Sequence, residues 1–180
     1  MNAASHSSGP RSNAYSESKF TNWTEYNPWI MEARAALKRY DAKMPERPKF
    51  PRIIEIRPQI CDFIYPCTAL QVEYRLKKMR ADDLHGLRAV FLLAGTRKQQ
   101  TSWRSGFSYW GVYGWSCVFL CAYPFDLASR WNLDSLRDFY LEDVLVHEVA
   151  HHIDRRPGES RKKREGFANS FAERHRAAKK

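Results

Sequence analysis

Apolar residues recur along this chain with two different periods, and the switches between them divide it. From residue 28 to about residue 41, Trp29, Ile30, Ala33, Leu37 and Tyr40 are spaced for one buried helical face, which predicts an amphipathic helix. Pro45, Pro48 and Pro51 follow as a connector. Three runs of β type come next: residues 52–57 with Ile53, Ile54 and Ile56, residues 69–76 with Leu70, Val72, Tyr74 and Leu76 in alternation, and residues 87–93, closed by Gly95. Residues 107–115 are rich in glycine and aromatics, and residues 116–123 form a further apolar strand candidate ending at Pro124.

Beyond residue 141 the period becomes helical. Val144, Leu145, Val149 and Ile153 supply packing positions, Leu141-Glu142-Asp143 puts carboxylates where a helix N-terminus favours them, and Pro157-Gly158 ends the segment. Residues 165–174 repeat the helical spacing, with Phe167 and Phe171 as a packing stripe. No internal repeat is present. Strands first and helices last predict an α+β fold: a small mixed sheet with an N-terminal helix and two C-terminal helices.

Composition sets the size of this unit. With 43% hydrophobic and 14% aromatic residues, the 180-residue chain has enough apolar surface for one ordinary core, so residues 29–180 are read as a single domain. Residues 1–28 are polar and aperiodic, with no signal-peptide core, and read as a flexible tail. No stretch reaches the roughly 18 apolar residues of a membrane span, so the expectation is a cytoplasmic protein without a membrane partner. The pairs Cys61-x5-Cys67 and Cys117-x3-Cys121 do not match the paired-cysteine zinc spacing; on a strand Cys117, Phe119 and Cys121 would share one core face, as reduced thiols.

The candidate chemistry lies at His147-Glu148-Val149-Ala150-His151, a His-Glu-x-x-His arrangement in a run able to form a helix. Four residues make about one turn, so both imidazoles leave the same face about 6 Å apart, a spacing that suits one Zn²⁺. Glu148 stands where a general base for water is needed. This chain's own His and Glu frequencies give the motif roughly a one per cent chance of arising at random.

A catalytic zinc takes a third protein ligand. Glu165, 14 residues after His151, is the best candidate: Glu165, Ala168, Asn169 and Ala172 share a helical face, which would present a carboxylate and a neighbouring amide past small side chains, and the stop at Pro157-Gly158 lets this helix fold back on the first. Asp154, three residues after His151, is the main rival, either as ligand or holding a histidine or arginine beside the metal. His152, Glu159, Glu173 and His175 also lie nearby; His152 points about 100° from His151 on a helix and reads as a surface or packing residue.

Over residues 141–176, the pattern His147-Glu148-x-x-His151 followed by Glu165-x-Phe167-Ala168-x-x-Phe171-Ala172 resembles the gluzincin type of zinc metallopeptidase, especially those with a Glu-x-x-Ala third-ligand helix, such as ImmA/IrrE-type peptidases and the catalytic domain of anthrax lethal factor. The resemblance implies a zincin-like α+β fold, zinc held by His147, His151 and Glu165, and Glu148 activating water for peptide cleavage. Where the lethal-factor pattern has a second glutamate one turn after the ligand, this chain has Asn169. The resemblance also nominates residues 115–123 as an edge strand that pairs with an extended substrate, although their apolar composition equally fits an interior strand. Tyr109, Tyr113, Tyr123 and Tyr140 are candidate oxyanion donors, with nothing in the sequence to select one.

Charge bears on partners. Residues 155–180 hold ten Lys or Arg against three Glu, a net of +7, which leaves only +3 of the formal +10 for the rest of the chain. Such a basic end could attract an acidic protein segment or nucleic acid, or simply be solvated. Two function classes result: a zinc peptidase acting on a peptide or protein, and a degenerate zincin-like binding module using its basic end.

Overall fold

A computed structural model of the protein describes residues 29–43, 49–56, 63–94, 110–124, 132–154 and 158–177. Along the chain lie α1 (Trp29–Lys43), β1 (Arg52–Ile56), β2 (Phe63–Ile64), α2 (Ala69–Lys77), α3 (Ala81–Leu84), β3 (Ala89–Leu93), β4 (Gly111–Gly114), β5 (Cys117–Cys121) and β6 (Tyr123–Pro124). They are followed by α4 (Leu133–Asp138), a π-helical segment (Phe139–Val144), α5 (Leu145–Ile153) and α6 (Arg161–Ala177). The tail at residues 1–28, Cys61, Tyr109 and most of the proline connector lie outside the described residues.

The five consecutive apolar residues of β3 are all buried, as a strand covered on both faces requires. It sits inside a four-stranded mixed sheet of order β1-β3-β5-β4, in which β1, β3 and β5 run parallel and β4 runs antiparallel to β5. The fold is therefore α+β with a small mixed sheet. Alternation assigns the two faces. Ala89, Phe91, Leu93, Cys117, Phe119 and Cys121 pack with Ile30, Ala33 and Leu37 of α1, and Phe91 stacks on Phe119 at 5.2 Å between centroids. The opposite face, including Val90, Leu92, Val118 and Leu120, packs with Val72 and Leu76 of α2, Leu145 and Val149 of α5 and Ala168 of α6. Cys117 and Cys121 thus share the α1 face, as the strand period predicts, and Cys67, Cys117 and Cys121 are free thiols. Burial pushes Cys67 and Cys117 up to about 12, which removes them as nucleophiles near neutral pH.

Two expectations are corrected. Residues 69–76, read as a strand from their alternation, form the helix α2. Thr68 and Gln71 cap it reciprocally: the Thr68 hydroxyl accepts the Gln71 main-chain N–H at 3.2 Å, and the Gln71 side chain accepts the Thr68 N–H at 2.9 Å. Val72, Arg75 and Leu76 then face inward, while Leu70 and Tyr74 are exposed. Residues 115–123, nominated as the edge strand, instead supply β5, which lies between β3 and β4. Among the described residues β4 forms one edge of this sheet and β1 the other, and β4 is joined to β5 by a two-residue turn in which Trp115 and Ser116 hold positive φ of 52° and 56°.

The helical run that carries the motif begins earlier than its carboxylates imply. Asn132 caps α4, its side-chain oxygen accepting the Asp134 N–H at 2.8 Å. Leu141-Glu142-Asp143 lie within the π-helical segment and not at a helix start. Glu142 is buried there, and its carboxylate accepts the Arg75 Nε–H at 2.9 Å. Among the described residues, no helix is long and apolar enough to cross a membrane.

Candidate metal centre

Helix α5 can hold polar chemistry inside the protein because its other positions are apolar. Leu145, Val146, Val149 and Ala150 are fully buried, so the helix is anchored against the sheet while His147, Glu148 and His151 are each at least nine-tenths buried. The chain reverses through Gly158, at φ +78°, and α6 packs back through Ala168, Phe171 and Ala172. Small Ala168, with no exposed surface, lets the two helices approach closely, and this brings Glu165 over the histidines. Helix α6 begins at Arg161, so Glu165 stands in its second turn rather than opening it.

Three donor atoms converge. His147 Nε2 and His151 Nε2 are 3.1 Å apart, His147 Nε2 is 3.3 Å from Glu165 Oε2, and His151 Nε2 is 3.7 Å from Glu165 Oε1. A tetrahedral zinc with bonds of about 2.0–2.1 Å separates its ligand atoms by about 3.3 Å, close to the spacing of the two Nε2 atoms and of His147 Nε2 from Glu165 Oε2, while His151 faces the other carboxylate oxygen. The donor set of two imidazoles and one carboxylate also fits a divalent metal ion. Among the described residues, His147, His151 and Glu165 are the one group found with this geometry.

Among the protein groups alone, the charges are strongly coupled. For Glu148, burial is the largest influence; His147 opposes it, Glu165 adds to it, and the main-chain N–H of Tyr113 donates to the carboxylate, leaving the pKa raised to about 7. His151 is lowered to about 4, first by burial and then by neighbouring His147. Burial works against a charged His147, but the hydrogen bond that His147 donates to Glu165 and the nearby carboxylates, with the Asn169 side chain, outweigh it and raise the value. Glu165 is lowered because its hydrogen bond to His147 and the field of His151 overcome its partial burial.

The remaining sequence candidates separate cleanly. Asn169 hydrogen-bonds His147, the flanking amide its helical face predicts. Asp154 is not in the donor cluster; its carboxylate is buried and lies 4.0 Å from Arg164 Nε, so it faces an arginine beside the site. Glu159 pairs with Lys163 at 3.0 Å, Glu173 is exposed, and His175 packs on Phe171 at 4.5 Å between ring centroids. Tyr140 donates to the Cys121 carbonyl at 2.7 Å with no exposed surface, and buried Tyr123 stacks on Trp110 at 5.4 Å. The basic end is partly matched within the protein: besides Lys163, Arg164 faces Asp154 and Arg176 pairs with Asp143.

His152 does structural work. Its Nε2 lies 3.0 Å from the His85 carbonyl and its Nδ1 lies 3.0 Å from the Tyr113 hydroxyl. A carbonyl only accepts, so Nε2 carries the proton and Nδ1 accepts from the phenol. This ties the end of α5 to β4 and to the turn before β3. His152→Phe is expected to lower the unfolding free energy by about 1–3 kcal/mol through its two lost hydrogen bonds, without changing metal content. Denaturant unfolding alongside metal analysis checks this, and parent-like stability would contradict the role.

Sequence reasoning missed Gly111, the Tyr113 main chain and Arg75, all of which touch α5 or the segment leading into it. The glycine- and aromatic-rich run was the only signal for the first two. Comparison with family models, curated proteins and solved structures gives no match for this chain.

Proposed function

We propose that this protein is a zinc-dependent peptidase with a zincin-like fold of the gluzincin type. The observation that carries this reading is the convergence of His147 Nε2, His151 Nε2 and the Glu165 carboxylate within 4.8 Å of one another, beside a second, buried carboxylate on Glu148. Zinc held by these residues supplies Lewis acidity, polarising a peptide carbonyl and making water a better nucleophile.

The protein's own groups do the rest. Glu148 accepts the proton of the water that adds to the carbonyl carbon, then returns it to the departing amine nitrogen as the C–N bond breaks. Glu165 neutralises charge at the donor cluster, and Asn169 holds His147. The open edge of β4 offers main-chain groups to an extended peptide, which gives affinity with little demand on its side chains. The substrate partner is a peptide or protein.

Purified protein is expected to carry about one zinc per chain and to cleave an unfolded protein such as casein. Chelation should abolish cleavage and lower the melting temperature, because metal that binds only the folded state stabilises it, and zinc should restore both. Protein without zinc, or zinc-loaded protein that leaves a broad peptide mixture intact, would overturn the assignment. Tight nucleic-acid binding without hydrolysis would favour a binding module using the basic α6 end.

A further inference from the structure

The β4–β5 hairpin has an inner and an outer set of main-chain groups. Cys121 N–H donates to the Trp110 carbonyl at 2.9 Å, and the register pairs Val112 with Phe119 and Gly114 with Cys117. Antiparallel pairing alternates, so Trp110, Val112 and Gly114 turn their main-chain groups toward β5, while Gly111 and Tyr113 turn theirs away from it. The side chains alternate as well: Val112 packs on the α1 side, and Gly111 and Tyr113 face α5.

Two features of this edge meet on Glu148. The Tyr113 main-chain N–H, turned away from β5, is the backbone group that favours the ionised Glu148 carboxylate. At Gly111 a side-chain Cβ would lie 2.7 Å from Val144 Cγ1, 3.0 Å from Glu148 Cγ and 3.3 Å from Glu148 Oε1. The strand therefore lies on α5 at a distance that only glycine permits, and this closeness brings the Tyr113 amide to the carboxylate.

We propose that β4 is the positioning element for Glu148: the outward N–H of Tyr113 latches the carboxylate, and the missing side chain at Gly111 lets the strand come near enough to do so. The effect on turnover rests on the peptidase reading; the latch itself does not. One consequence concerns substrate register, since a peptide pairing along this edge cannot use the Tyr113 N–H while Glu148 holds it.

The test uses zinc-loaded full-length protein and reads both turnover and amide hydrogen exchange. In the parent, the Tyr113 amide should be protected although it points away from β5. Glu148→Ala should speed its exchange by about tenfold or more while the inward Val112 amide is unchanged. Gly111→Ala should keep parent-like zinc content and KM, lower kcat on casein-derived peptides roughly 10- to 100-fold, as displacement of a reacting group does, and release the Tyr113 amide. Adding Val144→Ala removes the closest obstacle and should recover much of both losses. Equal Tyr113 exchange in parent and Glu148→Ala, or parent turnover in Gly111→Ala, would overturn the proposal. If the parent cleaves no peptide, the peptidase reading fails, and the exchange comparison still decides the latch.

Discussion

Glu148→Gln is expected to keep its zinc and lose turnover by about 100- to 10,000-fold, the usual contribution of a positioned general acid and base. That loss corresponds to about 3–5.5 kcal/mol of barrier. Metal should stay because Glu148 is not one of the three converging donors, which are His147, His151 and Glu165. Glutamine keeps the volume of the buried side chain and can still accept the Tyr113 N–H, but it cannot take a proton from water. Glu165→Ala should behave differently, losing zinc and activity together. Metal analysis with steady-state kinetics separates the two patterns, and a Glu148→Gln protein that cleaves at the parent rate would remove Glu148 from the chemistry.

Glu142→Ala is expected to cost about 3–5 kcal/mol of stability, because it strands the buried Arg75 guanidinium without its partner. Both residues are buried, and their 2.9 Å contact joins α2 to the π-helical segment that runs directly into α5. For a chain of this size the melting temperature should fall by about 6–20 °C. Replacing both members with methionine should recover much of the loss, since an apolar pair of similar volume avoids the stranded charge. Thermal unfolding of the two proteins tests this, and a change below about 1 kcal/mol in Glu142→Ala would show that Arg75 finds another partner.

Much of the candidate site was legible because it is local. His147 and His151 share a face through helical spacing alone, and Glu165 is reached by one reversal at Gly158, so the nearby chain carries the information for three converging donors. Asn169 followed from the same face. Asp154 reads from the sequence either as a rival ligand or as the partner of a histidine or arginine, and the structure puts Arg164 beside it. Residues 69–76 were misread because Val72 and Leu76 satisfy both a two-residue and a four-residue period; the Thr68-Gln71 capping box, a local signal, breaks the tie toward helix.

By itself the sequence determined the α+β order, the buried β3 run, the shared face of Cys117 and Cys121 and the spacing of the His-Glu-x-x-His motif, all properties of residues close along the chain. Only the tertiary structure decided that β5 is interior and β4 is the edge, that Gly111 is the point where strand and helix touch, and that Glu142 is held by Arg75, 67 positions away. Strand order and buried ion pairs depend on which distant surfaces meet, and short-range periodicity does not encode that choice.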